Sequence, residues 1–355
     1  ISKSFLYCFT RAFLGSVKIA LKVSTSKGFM YVNTGKRPII SVEMVGCTCT
    51  RIFPSLLRSS ESNLILHSFY LHQYKFILEA KKKKATIYWL FWGFEGYKAI
   101  HWNYNLNQFF NRTKQSPLNI KEIILNFYFA LNDRLVTKKI IDLIDYCCTW
   151  VDEDFKAICK VNPDIKHLYY NYYTKSNLKI NFAQLHTNNT NTILLGNSAD
   201  PTGLHIEMLQ YLKKNYFKGK IICPLSYGGT VKYISKVKDL GYKFFGENFY
   251  PLNEKLPEKE YTQLINTCNI FWFNHKRQQA AGNIFIGFLL NKIVILNNKS
   301  ILKKELTSKG FLVYDNFFLF KNNWDNLDYS SNNIKALSVL SESNNYKFYD
   351  KIISD

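Results

Sequence analysis

Acidic residues are scarce in this chain: 26 Asp and Glu stand against 47 Lys and Arg, a net charge of +21 over 355 residues. A surplus of that size argues against cationic partners and attracts polyanions: nucleic acid, anionic lipid or phosphorylated substrates. The lysines are scattered among Asn, Ile, Tyr and Phe, the pattern of a biased codon supply, so the excess alone does not select among these partners. The one tight run, Lys81-Lys82-Lys83-Lys84, reads as a solvated helix end. The eight cysteines lack metal-ligand spacing. Cys47-x-Cys49 and Cys147-Cys148 have no second pair at ligand distance, and most of the others sit in apolar runs, as buried thiols in a reducing cytosol do. The sequence has neither G-x-G-x-x-G nor G-x-x-x-x-G-K-[ST], so it supports no nicotinamide cofactor and excludes a P-loop. No apolar run reaches the roughly 20 residues of a membrane span. Ile1 to Gly15 carries Arg11 inside its apolar stretch, unlike a secretory signal, and the chain does not open on Met, as a fragment of a longer protein would not.

The composition, 47% hydrophobic, is that of a globular protein long enough for two domains. The most informative stretch is Asn274-His275-Lys276-Arg277-Gln278-Gln279-Ala280-Ala281-Gly282-Asn283. It follows an apolar run, Asn269 to Phe273, that reads as a buried strand. It precedes Ile284 to Leu290, which reads as a buried helix. Two cations and two amides on a strand-to-helix turn fall at the carboxyl edge of an α/β sheet, where ligands bind. The helix start favours an anion there. Arg277 adds a planar fork suited to phosphate, and Ala280, Ala281 and Gly282 are small enough for a ligand to approach the backbone.

The second half alternates strand and helix. Strands are expected at 191–195, 220–224, 243–245, 269–273 and 292–296. Helices are expected over 204–214 (capped by Asp200 or Thr202), 230–240 (ended by Gly241), 257–268 and 300–309. The first half is less regular, with strands at 62–67, 85–90 and 147–151 and helical spacing over 69–81, 120–131 and 136–144. This beat predicts two Rossmann-like domains: residues 1–180, then 181–335, with a linker within 171–191 and a last segment, 336–355, that returns to the first domain.

Two further loops share the expected sheet edge. Gly196-Asn197-Ser198 follows the strand 191–195, and Ser226-Tyr227-Gly228 follows the strand 220–224; both offer backbone N–H groups and short polar side chains to a phosphate or sugar. Gly246-Glu247-Asn248 is placed after the strand 243–245, near a nucleotide base. In the first half, Glu95 in Trp92-Gly93-Phe94-Glu95-Gly96-Tyr97 is the first candidate for a general base pointing into the interdomain cleft, and His67 is the second.

These motifs, in this order and spacing, resemble the TDP-Fuc4NAc:lipid II Fuc4NAc transferases of enterobacterial common antigen synthesis. The resemblance rests on Gly196-Asn197-Ser198-x-Asp200 with His205, Pro224-Leu225-Ser226-Tyr227-Gly228 and Arg277-Gln278-Gln279-x-x-Gly282. Trp92-Gly93-x-Glu95-x-Tyr97 is similar to the family's Trp-Gly-x-Asp-x-Tyr, with Glu for Asp, and His67-Ser68-Phe69 to its His-Gly-x-Phe element. The resemblance covers residues 60 to 310. It implies a GT-B fold, two Rossmann-like domains facing each other across a cleft, and no metal or other cofactor. It implies a nucleotide-sugar donor, usually dTDP-linked; the residues expected to hold it are Gly196, Asn197, Ser198, Ser226, Tyr227, Gly246, Arg277, Gln278, Gln279, Gly282 and Asn283. The implied acceptor is a polyprenyl-pyrophosphate-linked saccharide, met by a peripheral enzyme at the anionic cytoplasmic face of the bacterial inner membrane, with no nucleic-acid partner. Two other readings stay open at this point: a GT-B transferase with another donor or acceptor in O-antigen or capsule synthesis, and a non-catalytic basic binding protein.

Overall fold

The structure is a computed structural model that describes residues 20–24, 29–33, 38–43, 62–100, 120–178, 191–316 and 330–354. Cys47, Cys49, the first 19 residues and 179–190 of the expected linker lie outside the described residues. The chain divides into two compact units, Ile1–Tyr172 with Glu342–Asp355, and Tyr173–Ser341.

The first unit holds a sheet in chain order. Strands β1 (Ala20–Ser24), β2 (Phe29–Asn33) and β3 (Pro38–Glu43) form antiparallel pairs. From β3 onward, β4 (Asn63–His67), β5 (Thr86–Leu90), β6 (Tyr146–Cys148) and β7 (Lys166–Leu168) pair in parallel. Strands β4 and β5 are almost wholly buried, because a parallel sheet flanked by crossover helices has no wet face. The crossovers carry α1 (Tyr74–Lys82), α2 (Ile120–Ile141) and α3 (Asp152–Cys159). The two helical stretches expected at 120–131 and 136–144 are thus one helix of 22 residues. The last helix, α10 (Tyr346–Ser354), belongs to this unit: Asn63 Nδ2 donates to the Ile352 carbonyl at 2.8 Å, and Phe348 packs on Tyr170.

The second unit is a five-stranded parallel sheet. In chain order its strands are β8 (Thr192–Leu195), β9 (Lys220–Pro224), β10 (Phe249–Leu252), β11 (Ile270–Phe273) and β12 (Ile293–Leu296). In space they run β10-β9-β8-β11-β12. Its helices are α4 (His205–Lys214), α5 (Val231–Phe245), α6 (Glu258–Asn266), α7 (Ala281–Leu289), α8 (Ile301–Ser308) and α9 (Ser330–Val339). Ile193, Leu195, Met208, Leu209, Leu212, Ile221 and Trp272 form its core on one face of the sheet.

Two expectations fail here. Gly241 does not end α5; it lies inside it, where a Cβ would meet the Phe249 ring at 2.4 Å. Residues 243–245, expected as a strand, are the last turn of α5, and the strand is 249–252. Among the described residues, no helix is long and apolar enough to cross a membrane.

Candidate functional site

The order β10-β9-β8-β11-β12 means that the chain winds outward from β8, returns, and winds outward the other way from β11. The reversal falls between β8 and β11. At such a point the two loops leaving the carboxyl ends diverge to opposite faces of the sheet and leave a crevice, where ligands of open α/β sheets bind. The loops at this reversal are 196–203 and 274–280, two of the three singled out by sequence, and the third, 225–229, leaves the neighbouring β9.

The three loops are tied together by side chains far apart in sequence. Arg277 Nη2 donates to Asp200 Oδ2 at 3.0 Å, and Nη1 reaches the Gln278 carbonyl at 3.3 Å. Asp200 Oδ1 accepts from the Thr202 amide at 2.9 Å, which caps a short turn over Pro201–Gly203, and it lies 2.8 Å from the Thr202 hydroxyl. Gln279 spans both loops. Its Oε1 lies 2.9 Å from the Thr202 hydroxyl, and its Nε2 donates to Asn197 Oδ1 at 3.3 Å. The Ala199 amide donates to the Tyr227 carbonyl at 2.7 Å, and a Cβ on Gly229 would meet the Ala199 carbonyl oxygen at 2.4 Å, so the β9 loop rests directly on the β8 loop. Arg277 is therefore not the free fork that its sequence context suggests. One arm is committed to a carboxylate and the other to the Gln278 carbonyl, which fixes the guanidinium plane and leaves only the remaining N–H groups for a further acceptor.

Buried imidazoles support both loops. Gly196 has φ +75°, and a Cβ there would lie 2.5 Å from His205 Nε2; Gly203 lies against the same ring. His205 Nδ1 meets the Tyr233 hydroxyl at 3.1 Å, and burial pushes the imidazole down to about 4, so it is a neutral post beneath the loop. His275 is likewise buried, and burial, aided by the charge of Arg277, pushes it down to about 3. Behind it, Asn274 Oδ1 accepts from Asn297 Nδ2 at 2.8 Å and Asn316 Nδ2 at 3.1 Å, while Asn316 Oδ1 accepts from Trp272 Nε1 at 2.8 Å. Tyr314 bridges in parallel to Ile295 and so carries Asn316 to this edge.

In the first unit, His67 ends β4 and Glu95 lies in the turn after β5. Glu95 is 3% exposed; its Oε1 accepts from Trp89 Nε1 at 3.0 Å and from the Trp92 amide at 2.9 Å. Burial pushes its carboxyl up to about 7, against hydrogen bonds from Trp92, its own amide, Trp89 and Ser68. Burial pushes His67 down to about 3. An imidazole that resists protonation to that degree is a poor proton acceptor, whereas a carboxylate near 7 suits the task at neutral pH.

Residues 50–328 match the family described as 4-alpha-L-fucosyltransferase, glycosyl transferase group 56. The chain belongs to glycosyl transferase group 56. Solved structures agree on the fold. The alpha,alpha-trehalose 6-phosphate synthase of Burkholderia multivorans matches with a TM-score of 0.57 at 10% identity, covering 84% of this chain and 73% of its own. The UDP-forming trehalose-phosphate synthase of Burkholderia vietnamiensis gives 0.57 at 10%, covering 85% and 75%. HepE of Anabaena, solved with UDP and glucose, gives 0.51 at 9%, covering 86% and 78%. These are GT-B glycosyltransferases; this group 56 member has the same α/β fold and is a hexosyltransferase.

Within this group 56 chain the sequence-predicted donor residues divide. Gly196, Asn197, Ser198, Tyr227, Arg277 and Gln279 converge on the latched loops, with Ser226 half-buried beside them. Gly246 does not: it ends α5 and precedes β10, which places it at the amino edge of the parallel strands, opposite the crevice. The Gln278 side chain is buried. The space at Gly282 is filled by Tyr173, whose ring would meet a Cβ at 2.9 Å and whose hydroxyl oxygen accepts a hydrogen bond from the Gly282 amide; burial pushes that phenol up to about 12. Asn283 Nδ2 donates to the Tyr261 hydroxyl at 2.9 Å. Sequence alone shows Asp200 and Thr202 as helix caps; the place of Asp200 in the Gly196-Asn197-Ser198-x-Asp200 motif is the signal that it belongs to the site.

Proposed function

We propose that this group 56 member transfers 4-acetamido-4,6-dideoxy-D-galactose from a dTDP-linked donor to a polyprenyl-pyrophosphate-linked saccharide at the cytoplasmic face of a bacterial inner membrane. The observation that carries the nucleotide-sugar reading is the latched crevice between β8 and β11, with Arg277 held in place by Asp200. Fixed cationic donors in a partly buried site stabilise the charge that develops on a leaving diphosphate without reorganising. Arg277 takes that part here, together with the start of α7, and neither a metal ion nor another cofactor is assigned a role. The acceptor hydroxyl oxygen bonds to the anomeric carbon, the bond from that carbon to the diphosphate oxygen breaks, and dTDP leaves. Glu95, ionised above about 7, accepts the hydroxyl proton. The choice of donor and acceptor rests on the motif resemblance; the family's description as a 4-alpha-L-fucosyltransferase supports transfer of a deoxyhexose and no more. No nucleic-acid partner is proposed.

The experiment is a donor panel of dTDP-, UDP- and GDP-sugars, assayed for transfer to a polyprenyl-pyrophosphate-linked acceptor. The reading expects turnover with the dTDP-linked 4-acetamido sugar and little with the others. Preferential turnover with a UDP- or GDP-sugar moves the enzyme to another surface glycan, and transfer with none of them removes the reading.

A further inference from the structure

Helix α2 is apolar on the wrong side. Thr137, Ile140 and Ile141 are fully buried, and the helix packs through that side on α1 and on the turns at 71–73 and 97–100. A helix with one buried face is expected to be polar on the other. Instead Ile120, Ile124, Phe127, Tyr128, Leu131 and Leu135 recur at spacings of three and four residues along the outer face, all between 37% and 76% exposed, and Leu125 and Phe129, toward the inner half, are exposed as well at 54% and 52%. Six large side chains in one stripe about 22 Å long are not the single surface apolar residues that need no explanation.

The charges beside the stripe indicate what covers it. At 100° per residue, Lys138 falls within the stripe and Lys121 and Lys139 along one side of it, while Asp133 falls on the inner half of the helix and the exposed Asp142, just past the helix end, is the one acid in line with the stripe. The whole chain carries +21. Two copies meeting through this face would oppose lysine to lysine, which disfavours self-association. A nucleic acid would accept the lysines and leave the stripe in water. An anionic bilayer accepts both: the apolar side chains enter the acyl boundary while the lysines lie among the headgroups.

We propose that the outer face of α2 is a membrane-docking surface that seats on anionic lipid. It deepens the reading of a lipid-borne acceptor by naming the surface that meets the bilayer, and its test needs neither donor nor acceptor, so the two fail separately. The test is co-flotation of the full chain with vesicles of phosphatidylcholine and phosphatidylglycerol (3:1) or of phosphatidylcholine alone. The wild type should float with the anionic vesicles, much less with the neutral ones, and be released by high salt. Ile124→Glu with Tyr128→Glu should lower partitioning at least roughly tenfold, as removing two inserted side chains implies. Both positions are exposed, so the thermal melt should not move. Ile334→Glu, at another exposed apolar residue in the second unit, should bind as the wild type does. Equal flotation of the double variant and wild type, or no flotation of the wild type, overturns the proposal. A dimer in sedimentation that the double variant abolishes, with vesicle binding unchanged, overturns it in favour of a second copy.

Discussion

Arg277 illustrates how neighbours fix the plane of a single side chain. Its partner Asp200 neutralises part of its charge and in exchange fixes the plane from which the remaining N–H groups point. If the pair acts as a unit, Asp200→Asn should raise the donor KM about tenfold with little change in kcat, the value of one charge-assisted hydrogen bond. In Arg277→Ala the same Asp200→Asn change should add almost nothing, because the group it positions is gone. Additive losses would show that Asp200 acts on its own. Glu95 gives a second prediction at this scale. As a base raised to about 7, it should set the acidic limb of the rate profile there, and Glu95→Gln should remove both the limb and most of the rate. Stability gives an independent readout. With the folded value near 7 and the unfolded value near 4.5, stability is full below 4.5 and is lost as pH rises to 7. That loss is roughly 3 kcal/mol over the interval. Glu95→Gln should therefore gain on the wild type in thermal melts between pH 5 and pH 8. A constant difference would mean that the carboxyl is not raised in the fold.

Among the elements, helix α5 shows why a glycine misleads. Gly241 was expected to stop the helix, since glycine commonly follows a last turn. In the fold it lets α5 lie directly on the Phe249 ring, and the stop comes at Gly246, with φ +54°. Gly241→Ala should lower stability by about 1–3 kcal/mol through overpacking, although alanine favours helix by about 1 kcal/mol over glycine. A stabilised variant would show that the contact is loose. The same reasoning separates the legible strands from the hidden ones. Strands β8, β9, β11 and β12 are covered on both faces, so each reads as an apolar run closed by a polar turn. Strand β10 is at the edge, half-exposed and contains Pro251, so it has neither an unbroken run nor alternation. Strand β7, Lys-His-Leu at the other sheet's edge, is hidden for the same reason. The three loops of the site were legible because glycines and small polar residues follow those buried strands. Their latches were not: Asp200 and Arg277 are 77 residues apart, and only the fold brings them within 3.0 Å.

Over the whole molecule, each unit contributes something different. The second carries the reversal of strand order that opens a crevice, while the described sheet of the first runs in chain order and has no such reversal. That asymmetry is why the proposal puts the nucleotide end of the donor on the second unit. The alternating beat of the sequence showed two α/β units but not this difference, since strand order is set by which edges meet in space. The charge of +21, ambiguous as composition, acquires a direction where lysines line the stripe on α2. The central claim is that the latched loops hold a nucleoside diphosphate. Calorimetric titration of dTDP into the wild type and into Arg277→Ala tests it most directly. Binding to the wild type and a loss of about 10- to 100-fold in the variant are expected. Equal binding by the two proteins, or none by the wild type, would contradict it.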